Sequence, residues 1–124
     1  GIVLGLPGPN QSVNNAGGRH FRPNDELYFA FNVYNAANEQ GKLRNLVMAA
    51  RLFRDDKVVF SGPEVPITAA NQTDLSRVFT NSVIKLTPDL GPGDYYLQVT
   101  ITDKDAAKDK QAPVVQWIDF QIDQ

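Results

Sequence analysis

A chain of 124 residues has room for one domain and not two, and folding at that length hides roughly two-thirds of the unfolded chain's surface. Its 42% hydrophobic, 21% charged and 10% aromatic content is that of a globular protein and argues against disorder. A formal net charge of -2 offers no positive field to nucleic acid, and the lack of cysteine excludes disulfides, thiolate nucleophiles and cysteine-type zinc sites. No apolar run approaches the roughly 18 to 20 residues that span a bilayer, so direct membrane insertion is not expected. The opening GIVLGLPGPN lacks the basic flank and length of a signal peptide. Because the chain starts at Gly1, we read residues 1–124 as one domain cut from a larger protein.

Short alternating runs separated by Gly, Pro, Asn and Asp clusters dominate the chain, which is the pattern of an all-β domain. GIVLGL makes a first strand, closed by Pro7 and Pro9, whose rings cannot donate to a ladder. A polar loop over 10–18 follows. ELYFAFNVY puts Leu27, Phe29, Phe31 and Val33 on one face and Tyr28, Ala30, Asn32 and Tyr34 on the other, as in a strand buried on one side. NAANEQGK supplies turn chemistry before the strand LVMAARLF, and Asp55-Asp56 then forms a tight turn into KVVF, making a hairpin.

Residues 62–74 carry two prolines and leave room for a short edge strand at Val65 to Thr68. SRVFTNSVIKLT resumes a strand that we expect to be bulged, because Phe79 and Val83 lie on the opposite parity from Ile84 and Leu86. A helical turn over Thr73 to Val78 is the competing assignment. Next come the strand YYLQVTITD, the solvated loop KDAAKDKQAP and a last strand VVQWIDFQI. Seven to eight short strands predict a two-sheet antiparallel immunoglobulin-like β-sandwich.

In LTPDLGPGDYYLQVTITD, parity sends Tyr95, Leu97, Val99 and Ile101 to the core and Tyr96, Gln98, Thr100 and Thr102 to the opposite face. A tyrosine at the mouth of such a strand buries its ring and turns its hydroxyl back to the preceding loop, the logic of a tyrosine corner. The run Leu86, Pro88, Leu90, Pro92-Gly93, Tyr95, Leu97, Val99, Asp103 resembles the penultimate strand of immunoglobulin-like and fibronectin-III-like domains. It is also similar to the corresponding run in bacterial transthyretin-type sandwiches. With FRPNDELYFAFNVYNA and RLFRDDKVVF, residues 19–122 resemble the sandwich segments of large exported bacterial proteins, notably acidobacterial ones with a von Willebrand factor A-type domain. That resemblance implies an accessory module with no assigned active site, in the periplasm, the envelope or outside the cell.

Chemistry is sparse. His20 is the one imidazole and has no Gly-x-Ser-x-Gly elbow to accompany it, so it reads as a bystander rather than a catalytic base. Asp55 and Asp56 are adjacent in a turn and cannot flank a glycosidic bond. No glycine-rich phosphate loop is present. Calcium is the one metal the composition leaves open, through Asp103, Asp105 and Asp109 together with Asn24, Asp25 and Glu26 if both clusters share one pole. The interleaved Lys104, Lys108 and Lys110 favour a solvated loop instead.

One surface stands out. If the last two strands are neighbours, Tyr96, Val115 and Trp117 form an aromatic-apolar patch on an outer sheet face, extended by Phe53 or Val47; the alternative is Trp117 in the core. Such a patch suits a neighbouring domain of the parent chain, another protein or a second copy. The expectation is a non-catalytic structural or protein-interaction module, with a carbohydrate-binding module that stacks sugar rings as the alternative.

Overall fold

The computed structural model describes residues 1–6, 19–69, 72–107 and 113–124. The polar loop expected over 10–18, the strand stop at Pro7 and Pro9, and Lys108, Asp109 and Lys110 lie outside the described residues. Nine strands are present among those described: β1 (Val3–Gly5), β2 (His20–Phe21), β3 (Glu26–Tyr34), β4 (Leu46–Arg54), β5 (Lys57–Ser61), β6 (Val65–Pro66), β7 (Arg77–Lys85), β8 (Gly93–Asp103) and β9 (Val114–Ile122). They form a three-stranded sheet, β1-β3-β7, and a six-stranded sheet, β2-β9-β8-β4-β5, with β6 paired to β4. The chain is a two-sheet β-sandwich. Pairing is antiparallel except where the two-residue β2 runs parallel to the end of β9.

The two sheets close on the side chains that alternation assigns inward. Leu27, Phe29, Phe31 and Val33 of β3 meet Leu46, Met48, Ala50 and Leu52 of β4 and Tyr95, Leu97, Val99 and Ile101 of β8 in one buried cluster. Each large apolar side chain removed from water contributes roughly 1.5 to 3 kcal/mol. Around Phe120 the packing is aromatic: Tyr95 stacks on it at 5.5 Å and Phe21 meets it edge-on at 5.8 Å.

The expected bulge in the 75–86 strand is absent. The β3–β7 register runs unbroken from Glu26↔Lys85 to Tyr34↔Arg77. Val78, Ile84 and Leu86 share one parity and are buried, while Phe79 and Val83 stand outside at 48% and 43% exposure. The irregularity lies between Leu52 and Phe53, where β5 pairs Phe60 and then Val58 against consecutive β4 residues. An extra residue there twists an edge strand, which discourages edge-to-edge pairing. Before β7 the chain makes a turn, not a helix: the Asp74 carboxylate accepts from the N–H and hydroxyl of Ser76. The edge strand expected over Val65 to Thr68 is confined to Val65–Pro66.

Asp55 and Asp56 both have positive φ, 52° and 66°, and join Arg54 to its partner Lys57. Two left-handed residues make the type I′ turn whose twist matches the flanking strands.

Tyr95 is fully buried. Its hydroxyl bonds back to the carbonyls of Leu90 and Gly91, the latter at 2.7 Å. Arg54 donates to the same hydroxyl at 3.2 Å and to the Leu90 carbonyl at 3.1 Å, its guanidinium 5.4 Å from the Tyr95 ring centroid. Gly93 has φ 144°, and a Cβ there would stand 2.9 Å from Arg54 Nη2. Glycine therefore lets the arginine lie flat over the turn.

Candidate functional site

The outer face of the six-stranded sheet is built by the residues that alternate with the core set. On β8 these are Tyr96, Gln98 and Thr100; on β9, Val115, Trp117 and Asp119; on β4, Ala49, Arg51 and Phe53. Register sets Tyr96 between Phe53 and Asp119, Gln98 between Arg51 and Trp117, and Thr100 between Ala49 and Val115. Tyr96, Trp117 and Val115 are 53%, 52% and 41% exposed. The three residues singled out in the sequence therefore share one open face, and Trp117 is not in the core.

Phe53 extends this patch. Its ring lies 5.1 Å from that of Trp117, tilted by 58°, so the two rings meet across β8. Beneath that span Gln98 is half-buried, and its Oε1 is shielded from solvent without a hydrogen-bond partner among the described residues. Val58, opposite Phe53 on β5, adds another exposed apolar side chain. Val47 shares the face but stands at the far end of β4, beside Thr102 and Pro66. Charge gathers at the margin, where Arg19 Nη1 pairs with Asp119 at 2.8 Å. Of the two extensions the sequence offered, Phe53 joins the aromatic patch and Val47 does not; Val58 was not named from the sequence, because only the hairpin register sets it beside Phe53.

Among the described residues the lone imidazole has a carboxylate neighbour and nothing more. His20 Nδ1 lies 3.3 Å from Asp123 Oδ1, both well exposed, and among the described hydrogen bonds no hydroxyl joins the pair. Of the acidic residues named for calcium, Asp103 and Asp25 lie at opposite ends of the sandwich, and Asp109 lies outside the described residues. Asp103 is the last residue of β8, whereas Asp25 caps the Arg22 N–H next to Phe21, which reaches the first residue of β8 through Ile122. Eleven residues of strand separate them, roughly 30 Å at the ordinary rise. Among the described residues no three potential metal ligands gather.

Asp103 has another occupation. Arg44 donates to its Oδ2 from Nη2 at 2.6 Å and from Nε at 3.1 Å, and also to the Asn35 carbonyl. The Arg44 guanidinium, and after it the Asp105 N–H, hold the Asp103 carboxyl below the usual carboxylate range. This pair fastens the β3–β4 crossover to the end of β8 and is structural.

Comparison with protein-family models, curated proteins and solved structures finds no match to this chain.

Proposed function

We propose that this chain is a non-catalytic, immunoglobulin-like interaction module of a larger exported or envelope-associated bacterial protein, and that it docks a neighbouring protein domain through the outer face of its six-stranded sheet. The observation that carries the proposal is the half-exposed cluster of Tyr96, Trp117 and Val115 braced by Phe53. Aromatic anchors at the centre with Arg51, Arg19 and Asp119 at the rim follow the anatomy of protein interfaces, which concentrate binding energy in a few Trp, Tyr and Arg residues. The immunoglobulin-like part rests on the sheet order, on β1 and β2 joining opposite sheets, and on Tyr95 at the start of the penultimate strand. The exported setting rests on the sequence resemblance alone. The non-catalytic part rests on the sequence, whose one imidazole, His20, comes without a nucleophile motif.

A sugar ring is the competing occupant. Stacking on sugars favours a flat, freely presented ring, whereas Trp117 leans on Phe53 at 58°; the tilted pair is better shaped to fill a pocket on a protein. The test is titration of the protein with the domains adjacent to it in the parent chain, and separately with soluble oligosaccharides. Binding of an adjacent domain that is lost in Trp117→Ala and in Tyr96→Ala, with folding intact, is the expected result. Binding that neither substitution weakens, or a response to oligosaccharides only, overturns the proposal.

A further inference from the structure

The small sheet ends at β7, and this edge carries a second feature, unrelated to the aromatic face. In an antiparallel pair, successive residues alternate between pointing their N–H and C=O at the partner strand and away from it. Phe79 points both groups away from β3: its N–H donates to Gln72 Oε1 at 2.7 Å, and its carbonyl accepts from Gln72 Nε2 at 3.0 Å. Since the β3–β7 register is unbroken, Asn81 and Val83 point the same way. A primary amide offers the same donor and acceptor as a peptide unit, so Gln72 occupies one position of a missing neighbouring strand. Next to it a cleft of about 510 Å³ separates β7 from β6, with Met48 and Ile67 among its lining and Thr80 on the β7 side. Thr80 Oγ1 is shielded from solvent and has no hydrogen-bond partner among the described residues. β6 belongs to the other sheet, so among the described residues no strand pairs with this edge beyond Gln72.

We infer that the free edge of β7 is a strand-addition site for an extended acidic peptide segment of another protein. Main-chain pairing at Asn81 and Val83 supplies the affinity, and the exposed Phe79 and Val83 receive alternate apolar side chains. Charge selects the occupant. Within β7 and its flanks over 75–88 the charged residues are Arg77 and Lys85, one at each end of the strand; Glu26 faces Lys85 from β3, on the side away from the free edge. Lys85 Nζ donates to the Asn24 carbonyl rather than to a carboxylate. Asp74, near Arg77, is committed to Ser76. A second copy pairing antiparallel over the whole strand sets Arg77 opposite Lys85 of that copy, and like charges directly opposite are unfavourable. A nine-residue segment with an acid at each end meets both cations in either direction.

The probe is a labelled, capped nine-residue peptide of alternating valine and threonine with aspartate at both ends, titrated against the isotope-labelled chain by NMR and fluorescence anisotropy. Saturable binding is expected, with shifts confined to β7 and to residues 65–68, and with amide exchange at Asn81 and Val83 slowed at least about tenfold. Asn81→Pro removes an N–H that the β3 ladder does not use, a placement an edge strand tolerates, and is expected to weaken binding by about tenfold or more. Lys85→Glu, which leaves the backbone unchanged, is expected to weaken this peptide and to favour a lysine-ended version. Three results would overturn the inference: no change at Asn81 and Val83 up to about 1 mM peptide, shifts centred on Trp117 instead, or self-association abolished by Asn81→Pro, which would make a second copy the occupant.

Discussion

Phe53 and Trp117 belong to strands separated by β8, yet their ring centroids stand 5.1 Å apart. The contact is made over Gln98, on the side of the sheet away from the core. Ring pairs of this kind add about 0.5 to 1.5 kcal/mol beyond area burial. A double-mutant cycle with Phe53→Ala and Trp117→Ala should therefore give a coupling free energy of about 1 kcal/mol in denaturant unfolding. Strict additivity would show that the rings do not support one another.

Tyr95→Phe keeps the buried ring and its stack on Phe120 but removes the hydroxyl that serves Leu90, Gly91 and Arg54. Leaving those groups short of a partner should cost about 1 to 3 kcal/mol in denaturant unfolding, with an unchanged m value. Retention of full stability would mean that water replaces the hydroxyl and that the corner is decorative.

The Arg44–Asp103 pair gives a signed pH dependence. The folded-state pKa of Asp103 is lowered, chiefly by Arg44. Its contribution is therefore fully present above the ordinary aspartate value of about 4 and is lost as pH falls through the lowered folded-state value. Asp103→Asn should cost about 1 kcal/mol at pH 7, and its gap from the parent chain should close on acidification. A gap independent of pH would assign the loss to packing rather than charge.

The turn at Asp55-Asp56 holds two aspartates at positive φ, where Asn-Gly is the preferred pair. Replacing them by Asn and Gly should raise stability by about 0.5 kcal/mol, read as a higher denaturant midpoint at constant slope. A lower midpoint would show that the aspartates make contacts the backbone geometry does not require.

What alternation and turn chemistry settle by themselves is local. The period of two along 93–103 names which side chains go inside; along 26–34 it names the set between the sheets, but Tyr28 and Ala30 on the opposite face are buried as well, so this strand is not buried on one side only. The Asp-Asp pair names a hairpin, and Pro-Gly followed by Tyr95 names a corner, because each depends on backbone geometry within a few residues. Parity likewise placed Tyr96, Val115 and Trp117 on one side of their strands, while leaving open whether that side faced solvent. Tertiary structure decided the rest. Trp117 became a surface residue because β9 turns Phe120 and Ile122, not Trp117, toward the core. Phe53 joined it through the pairing of β4 with β8. The apparent parity conflict at Phe79 and Val83 disappeared because both side chains stand on the outer face of the small sheet, where exposed apolar residues need no bulge. Asp103 and Asp25 were separated because the length of β8 lies between them. Pairing partners lie tens of residues away in the chain, and no local pattern encodes which distant edge a strand will meet.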